Sequence, residues 1–320
     1  MYRLLSYYGY TSVEDPSGRR DAQRELCESL GILGRIYVAK EGVNGTCAGS
    51  ADAIRAYRER THEMFGPGVV DFKEEEVDHV PFADLRVKVR PWLVNLGEGN
   101  NVLPEEDGGK RLTPSEWKAF MESGRKFTML DVRNDYEAKI GHFRGAIAAP
   151  YKNFHEFPQW VDELDLDPDE PVLMYCTGGI RCEKFSGLLT RKGHREVYQL
   201  DGGILRYAEE VGGDHFLGNV FVFDDRMSVD IGGEPTPGRC VHCGAPSARV
   251  INCANVDCHT LHVTCDTCVR ETRATCSPSC LSAPRLRELK DVHLTRPWRR
   301  LATEDVTDTA DDRAGEESAE

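Results

Sequence analysis

The chain has 320 residues, 40% of them hydrophobic, with a formal net charge of −14, enough apolar material for two or three modest cores. No run of about 18 apolar residues exists, and the opening MYRLLSYYGY is too short and too aromatic for a signal peptide, so a cytoplasmic chain without a membrane span is expected. The acidic balance argues at first against a nucleic-acid partner, but Thr303 to Glu320 holds eight acids and one arginine, a net −7 that accounts for half of the excess.

Tyr2 to Tyr8 reads as a strand, Ala22 to Leu30 as a helix stopped by Gly31, and Arg35 to Lys40 as a second strand. Gly42 to Gly45 is expected to turn, because Asn44-Gly45 supplies the positive backbone dihedrals of a tight hairpin, with Thr46 to Ala48 returning as partner strand. Ser50 caps a helix to about Met64, and strands follow at Val69 to Phe72 and Leu85 to Val89. The order β-α-β-β-α-β describes a ferredoxin-like α+β sandwich over residues 1–94. It carries no acid, base or metal constellation and is expected to position substrate. Lys40 and Glu41 beside the hairpin either face an active site or form a solvent-facing turn, and the turn is the expectation.

Residues 95–110, rich in Gly, Asn and acids, read as a linker. The capping box of Thr113, Pro114, Ser115 and Glu116 then opens a domain over residues 111–215 with a helix through Met121. Strands at Phe127 to Leu130, Ala146 to Ala149, Val172 to Tyr175 and Val197 to Leu200 alternate with helices at Phe154 to Leu164, Glu183 to Lys192 and Ile204 to Val211. That alternation predicts a parallel α/β sheet, whose ligands lie beyond the carboxyl ends of the strands.

Cys176 follows such an end and opens the loop Thr177, Gly178, Gly179, Ile180, Arg181 before a helix. Backbone N–H groups and the positive helix end aimed at the sulfur lower a thiol's pKa, so a reactive thiolate is expected. The glycines let the backbone curl around an anion carried on the sulfur, and Arg181 offers it a cationic fork. Asp131 and Arg133 also follow a strand end. Asp131 either carries a proton or fixes the turn by accepting hydrogen bonds; the second is favoured, since an anion beside a thiolate raises its pKa. Arg133 and Arg144 are phosphate or structural contacts, and Cys182 is either a resolving thiol or an inert buried residue.

Over residues 216–301 the pairs Cys240/Cys243, Cys253/Cys258, Cys265/Cys268 and Cys276/Cys280 supply ligands for two tetrahedral thiolate zinc sites. The preferred pairing is interleaved, with Cys240, Cys243, Cys265 and Cys268 around one ion; consecutive pairing and disulfides are the alternatives, and His242, His259 and His262 are possible substitute ligands. A closed zinc site is structural or a nucleic-acid knuckle and does not activate oxygen. No NAD, flavin or iron site is recognised. Basic clusters at Arg19, Arg20 and Arg24 and at Arg191, Lys192 and Arg195 read as solvated faces. The run Arg285, Arg287, Lys290, Arg296, Arg299 and Arg300 taken alone also reads as a solvated face, with RNA phosphates as the alternative, and residues 302–320 read as a disordered acidic tail.

The C-x4-R loop after an apolar strand resembles the active loop of rhodanese domains, where the cysteine carries a persulfide. Met129 to Arg133 (MLDVR), Tyr136 and Glu137, and Gly141 to Ala146 (GHFRGA) are similar to the segment that opens those domains, and Leu200 to Ile204 (LDGGI) to the turn that closes them. Four residues between Cys and Arg, rather than the five of related phosphatases, favour sulfur over phosphate chemistry. Taken with AKEGVNGT upstream and the cysteine-rich segment downstream, YCTGGIRCEK resembles the rhodanese-like tRNA uridine hydroxylases from about Tyr2 to about Cys280. That resemblance implies an α/β rhodanese domain between an acylphosphatase-like domain and a small cysteine-rich one. It also implies a tRNA substrate, molecular oxygen as oxidant, 5-hydroxyuridine at the wobble position as product and Cys176 as the essential residue. The alternatives are a persulfide sulfurtransferase of rhodanese type and a non-catalytic RNA-binding scaffold.

Overall fold

The computed structural model describes residues 1–287 apart from Glu98, Asn101, Leu103 and Lys152. Lys290, Arg296, Arg299, Arg300 and the acidic tail lie outside the described residues.

The first unit comprises β1 (Tyr2–Tyr10), α1 (Pro16–Leu30), β2 (Leu33–Ala39), β3 (Gly42–Ser50), α2 (Ala51–Phe65), β4 (Asp71–Val77) and β5 (Leu85–Val89). Asp15 and Ser50 accept the N-terminal amides of the two helices, and Gly31 ends α1 at φ 65°. The sheet order is β4-β1-β3-β2-β5, antiparallel except for the β2–β5 pair. Alternation along the strands sends Leu5, Tyr7, Ile36, Val38, Val43 and Cys47 into the core beneath α1 and α2. The opposite face packs Leu4, Leu33, Ala48 and Val77 against Phe82 and continues in the rows of Ser6, Thr46 and Arg35 and of Tyr8, Asn44 and Tyr37.

The expected turn at Gly42 to Gly45 is inside β3 instead. The hairpin closes one step earlier, on Lys40 and Glu41, with Gly42 at φ 138°. Gly45 is needed for a different reason: a Cβ there would lie 2.6 Å from the phenol of Tyr7, so the bare backbone makes room for that ring.

The second unit contains α3 (Pro104–Asp107), β6 (Lys110–Leu112), α4 (Pro114–Glu122), β7 (Thr128–Asp131), α5 (Asp135–Ala138), β8 (Gly141–Phe143), β9 (Ile147–Ala148), α6 (Phe157–Glu163), β10 (Val172–Tyr175), α7 (Ile180–Arg191), β11 (Val197–Leu200) and α8 (Gly203–Glu210). Its sheet runs β6-β11-β10-β7-β9 with every pair parallel. All four residues of β10 are buried, so the central strand delivers Cys176 at its carboxyl end. The segment read as a linker supplies α3 and the first residue of β6. Helix α7 starts earlier than the periodicity suggests, which places Arg181 and Cys182 in its first turn.

The third unit is anchored on the second by β12 (Phe216–Phe221), which pairs antiparallel with β8 on one side and with β13 (Ser228–Asp230) on the other. Phe143 on β8 meets Tyr175, Tyr207 and Phe216 edge-on at 4.8, 4.9 and 5.2 Å, contacts that add about 0.5–1.5 kcal/mol each to the burial. A hairpin of β14 (Val250–Asn252) and β15 (Leu261–Val263), with α9 (Asp266–Glu271) and α10 (Pro278–Leu281), then carries the cysteines.

Candidate active site and thiolate clusters

Cys176 is fully buried, and its Sγ accepts the Gly179 N–H at 3.1 Å. Gly179 holds φ 102°, a conformation that turns its amide toward the sulfur and that a side chain would resist. Burial opposes ionisation of Cys176, but the Cys182 thiol, the Arg181 charge and the N–H groups of Arg181 and Cys182 outweigh it and hold the thiol pKa well below its ordinary value. Cys182 is equally buried; desolvation and the neighbouring thiolate push its own pKa up, so it stays protonated and donates to Cys176. The loop is braced from behind by α8, where the Ile204 and Leu205 amides donate to the carbonyls of Cys176 and Thr177 at 3.0 and 3.1 Å.

Arg181 does not point its fork at the sulfur. Its guanidinium forms a two-pronged ion pair with Glu137, at 2.7 and 2.9 Å, and donates to Thr177 Oγ1 at 3.2 Å. Glu137 also accepts the Asn134 amide that starts α5, so one carboxylate ties α5 to the loop. Asp131 and Arg133 form a second buried ion pair, at 2.6 and 2.8 Å, with Asp131 also accepting the Arg133 amide and the Tyr175 hydroxyl. Both side chains are fully buried, and the pair ties the end of β7 to the turn that follows. Arg144 lies at the surface against Glu234.

Residues of the first unit cap this loop, and nothing in their local sequence marks them. The Tyr8 hydroxyl donates to the Glu183 carboxylate at 2.9 Å and the Tyr10 hydroxyl to the Ile180 carbonyl at 3.2 Å. Glu183, buried in α7, also accepts from Arg111 at 2.5 Å and Gln199 at 3.2 Å. Burial keeps its pKa raised despite these donors. Glu41 is not a solvent-facing turn residue: it accepts the Lys184 ammonium at 2.6 Å and the Leu93 amide at 2.7 Å.

Beside the loop opens a cavity of about 850 Å³ walled by all three units. Thr177, Gly178, Ile180 and Arg181 line it, and Cys176 lies buried behind them. Its wall includes Arg35, Lys73, Arg86, Lys88, Arg90, Arg181, Arg226 and Arg287 against Glu75, Asp84, Asp224 and Asp225, eight cations to four acids, with Lys73 and Arg181 further paired to Asp71 and Glu137 behind the wall, on a chain of net charge −14. Tyr37, Trp92, Phe154 and Phe223 add aromatic rings. Such a wall attracts phosphates and offers stacking surfaces to bases.

In the third unit, Cys240, Cys243, Cys265 and Cys268 form one group, and Cys253, Cys258, Cys276 and Cys280 another, the ligand atoms of each within 4.8 Å of one another. Sγ–Sγ separations of 3.7 Å for Cys243–Cys265, 3.7 Å for Cys258–Cys276 and 3.8 Å for Cys276–Cys280 match the edge, about 3.8 Å, of a tetrahedron with zinc–sulfur bonds of about 2.3 Å. The residues therefore fit zinc, in the interleaved pairing. His242, His259 and His262 belong to neither group, and His259 instead contacts Arg287 at 3.2 Å.

Three family models match the chain: an acylphosphatase-like domain of the UPF0176 type over residues 2–92, a rhodanese-like domain over 113–210 and a rhodanese C-terminal domain over 217–281. A rhodanese-like domain of an Anabaena protein is 25% identical, covers 32% of this chain and 75% of that one, and superposes with a TM-score of 0.28. A tRNA uridine(34) hydroxylase of Chlamydia abortus is 38% identical over 320 residues, 98% of this chain and 97% of that protein. Another, from Protochlamydia amoebophila, is 37% identical over 302 residues, 93% of each. With such identity along nearly the whole of both chains, the protein belongs to the family of the tRNA uridine(34) hydroxylases.

Proposed function

We propose that this chain hydroxylates the wobble uridine of tRNA to 5-hydroxyuridine, with Cys176 as the catalytic thiolate and molecular oxygen as the oxidant, one oxygen atom entering the base and the other leaving as water with two electrons and two protons from an external reductant. The observation that carries the reading is the meeting of a hydrogen-bonded thiolate loop with a cation-rich, aromatic cavity shared by three units. The cavity is of a size that accepts a single unstacked nucleotide. Its cations meet the phosphates and its rings the base. Cys176 is buried, so turnover includes an opening of the loop toward the cavity.

Zinc held by the two sets of four thiolates would supply closed, redox-silent crosslinks that shape the third wall of the cavity. Asn252 and His259 on that wall lie next to the ligands Cys253 and Cys258 in the chain, so the clusters set where they stand. The number of unpaired thiols and a tRNA substrate support a cytoplasmic location for the reaction. Among the described residues no helix is long and apolar enough to cross a membrane.

The test is mass spectrometry of wobble nucleosides from cells lacking the endogenous activity and complemented with the wild-type chain or with Cys176→Ser. The reading expects 5-hydroxyuridine and its derivatives with the wild type only. A nucleoside profile that the wild-type chain leaves unchanged contradicts it, and a sulfur-bearing product would assign the thiolate to persulfide transfer instead.

A further inference from the structure

The register of the N-terminal sheet aligns side chains in rows on the face opposite α1 and α2. Tyr8 on β1 pairs with Asn44 on β3, which pairs with Tyr37 on β2; the next row is Ser6, Thr46 and Arg35. All six line the cavity, so this face forms the wall that confronts the Cys176 loop. In an α+β sandwich, a sheet face destined for protein packing is apolar, as the helix-covered face here is. On this face the apolar row of Leu4, Ala48 and Leu33 is covered by Phe82, and the two rows beyond it present rings, an amide and small hydroxyls to the cavity. The Arg90 guanidinium lies 5.3 Å from the Tyr37 ring centroid and holds that ring in place.

A double helix hides its bases and offers only phosphates and groove edges, for which rings have no use. Splayed single-stranded nucleotides offer base faces to stack and base edges to hydrogen-bond. Resting on the hydroxylase reading above, we propose that this face is a single-strand RNA platform holding the nucleotides that flank the target base. Tyr37 is the stacking ring and the Asn44 amide meets a base edge. The small Ser6 and Thr46 keep the platform flat, and Tyr8 joins it to the catalytic loop through Glu183.

The experiment titrates the full chain, in its Cys176→Ser form so that no turnover occurs, with an anticodon stem-loop RNA and with a fully paired hairpin of the same length. The stem-loop is expected to bind at least tenfold more tightly than the paired hairpin. Tyr37→Ala is expected to lose about tenfold in stem-loop affinity, the scale of one base–aromatic stack, whereas Tyr37→Phe keeps it and shows that the fold is intact. In the active chain, Asn44→Ala is expected to raise KM more than it lowers kcat. Equal stem-loop binding by Tyr37→Ala and its parent, or equal binding of both RNAs, overturns the platform and leaves the hydroxylase reading standing. A parent chain that binds no stem-loop overturns both.

Discussion

The Lys184 ammonium lies 2.6 Å from the Glu41 carboxylate, joining the first turns of α7 to the hairpin of the N-terminal sheet. Lys184 is 2% exposed and has the rings of Trp92 and Tyr10 at 5.0 and 6.0 Å. Desolvating a lysine this far is tolerable only while the carboxylate and the ring faces answer its charge. The pair is therefore the register pin between the substrate-binding sheet and the catalytic helix.

Replacing Glu41 by Gln leaves that ammonium without its countercharge and is expected to cost about 3 kcal/mol. Denaturant unfolding followed by intrinsic tryptophan fluorescence measures it. The double variant Glu41→Gln, Lys184→Met is expected to recover much of the loss, because no buried charge is then left alone. Equal stabilities for the single variant and the wild type would show the pair to be idle.

The acidity of Cys176 gives a signed pH dependence. Its folded-state pKa is held well below the ordinary thiol value of 9.0. The stability contributed by the thiolate is therefore fully present above that value and is lost as pH falls through the depressed one. The ultraviolet thiolate difference between wild type and Cys176→Ser is expected to stay constant from alkaline pH through neutrality and to vanish only in acid. Cys182→Ala removes a donor to the thiolate and is expected to move the midpoint up by about one to two pH units, the scale of one hydrogen bond to a charged group. Cys182→Ser, which keeps a donor, moves it less. A wild-type midpoint near 9 would refute the thiolate.

How much of this was legible in the sequence depended on distance along the chain. The Cys176 loop could be read because its chemistry is local: an apolar strand, two glycines and an arginine in succession. The partner of Arg181 could not, since Glu137 stands 44 residues away and only the packing of α5 on the loop brings it there. Tyr8, Tyr10 and Glu183 carry no local mark for the same reason, as a strand tyrosine and a helical glutamate look alike wherever they point. Asn44-Gly45 misled because its turn propensity is a weak local preference that nine-residue pairing of β1 with β3 overrides. The cysteine spacing indicated the ligand type and the preferred interleaved pairing, which the fold realises by bringing the first and third pairs together across the β14–β15 hairpin.

Gly203 tests the brace behind the loop. It has φ 67°, and a Cβ there would lie 2.5 Å from the Cys176 carbonyl oxygen and 2.6 Å from that of Thr177. Gly203→Ala is expected to push the loop forward, lowering kcat at least tenfold, in addition to about 1–2 kcal/mol of backbone strain. Gly193 also has a positive φ, 97°, but open space around it. Gly193→Ala is expected to cost about 1 kcal/mol of stability and to leave kcat unchanged. Matching kcat values for the two variants would remove the brace from the account.

The thiolate clusters predict metal stoichiometry. Elemental analysis of the purified chain is expected to find two zinc ions per chain, with Cys243→Ser and Cys258→Ser each losing one. Because Asn252 and His259 hold the cavity wall beside the second group, Cys258→Ser is expected to weaken tRNA binding more than Cys243→Ser. A metal-free chain that binds tRNA normally would contradict this.

The central claim is tested most directly by growing cells that depend on this chain under dioxygen labelled with heavy oxygen, then weighing the wobble nucleosides. The account predicts that 5-hydroxyuridine carries one heavy oxygen atom when the wild-type chain is present, and that no 5-hydroxyuridine forms with Cys176→Ser. An unlabelled hydroxyl, or product formed without Cys176, would contradict it.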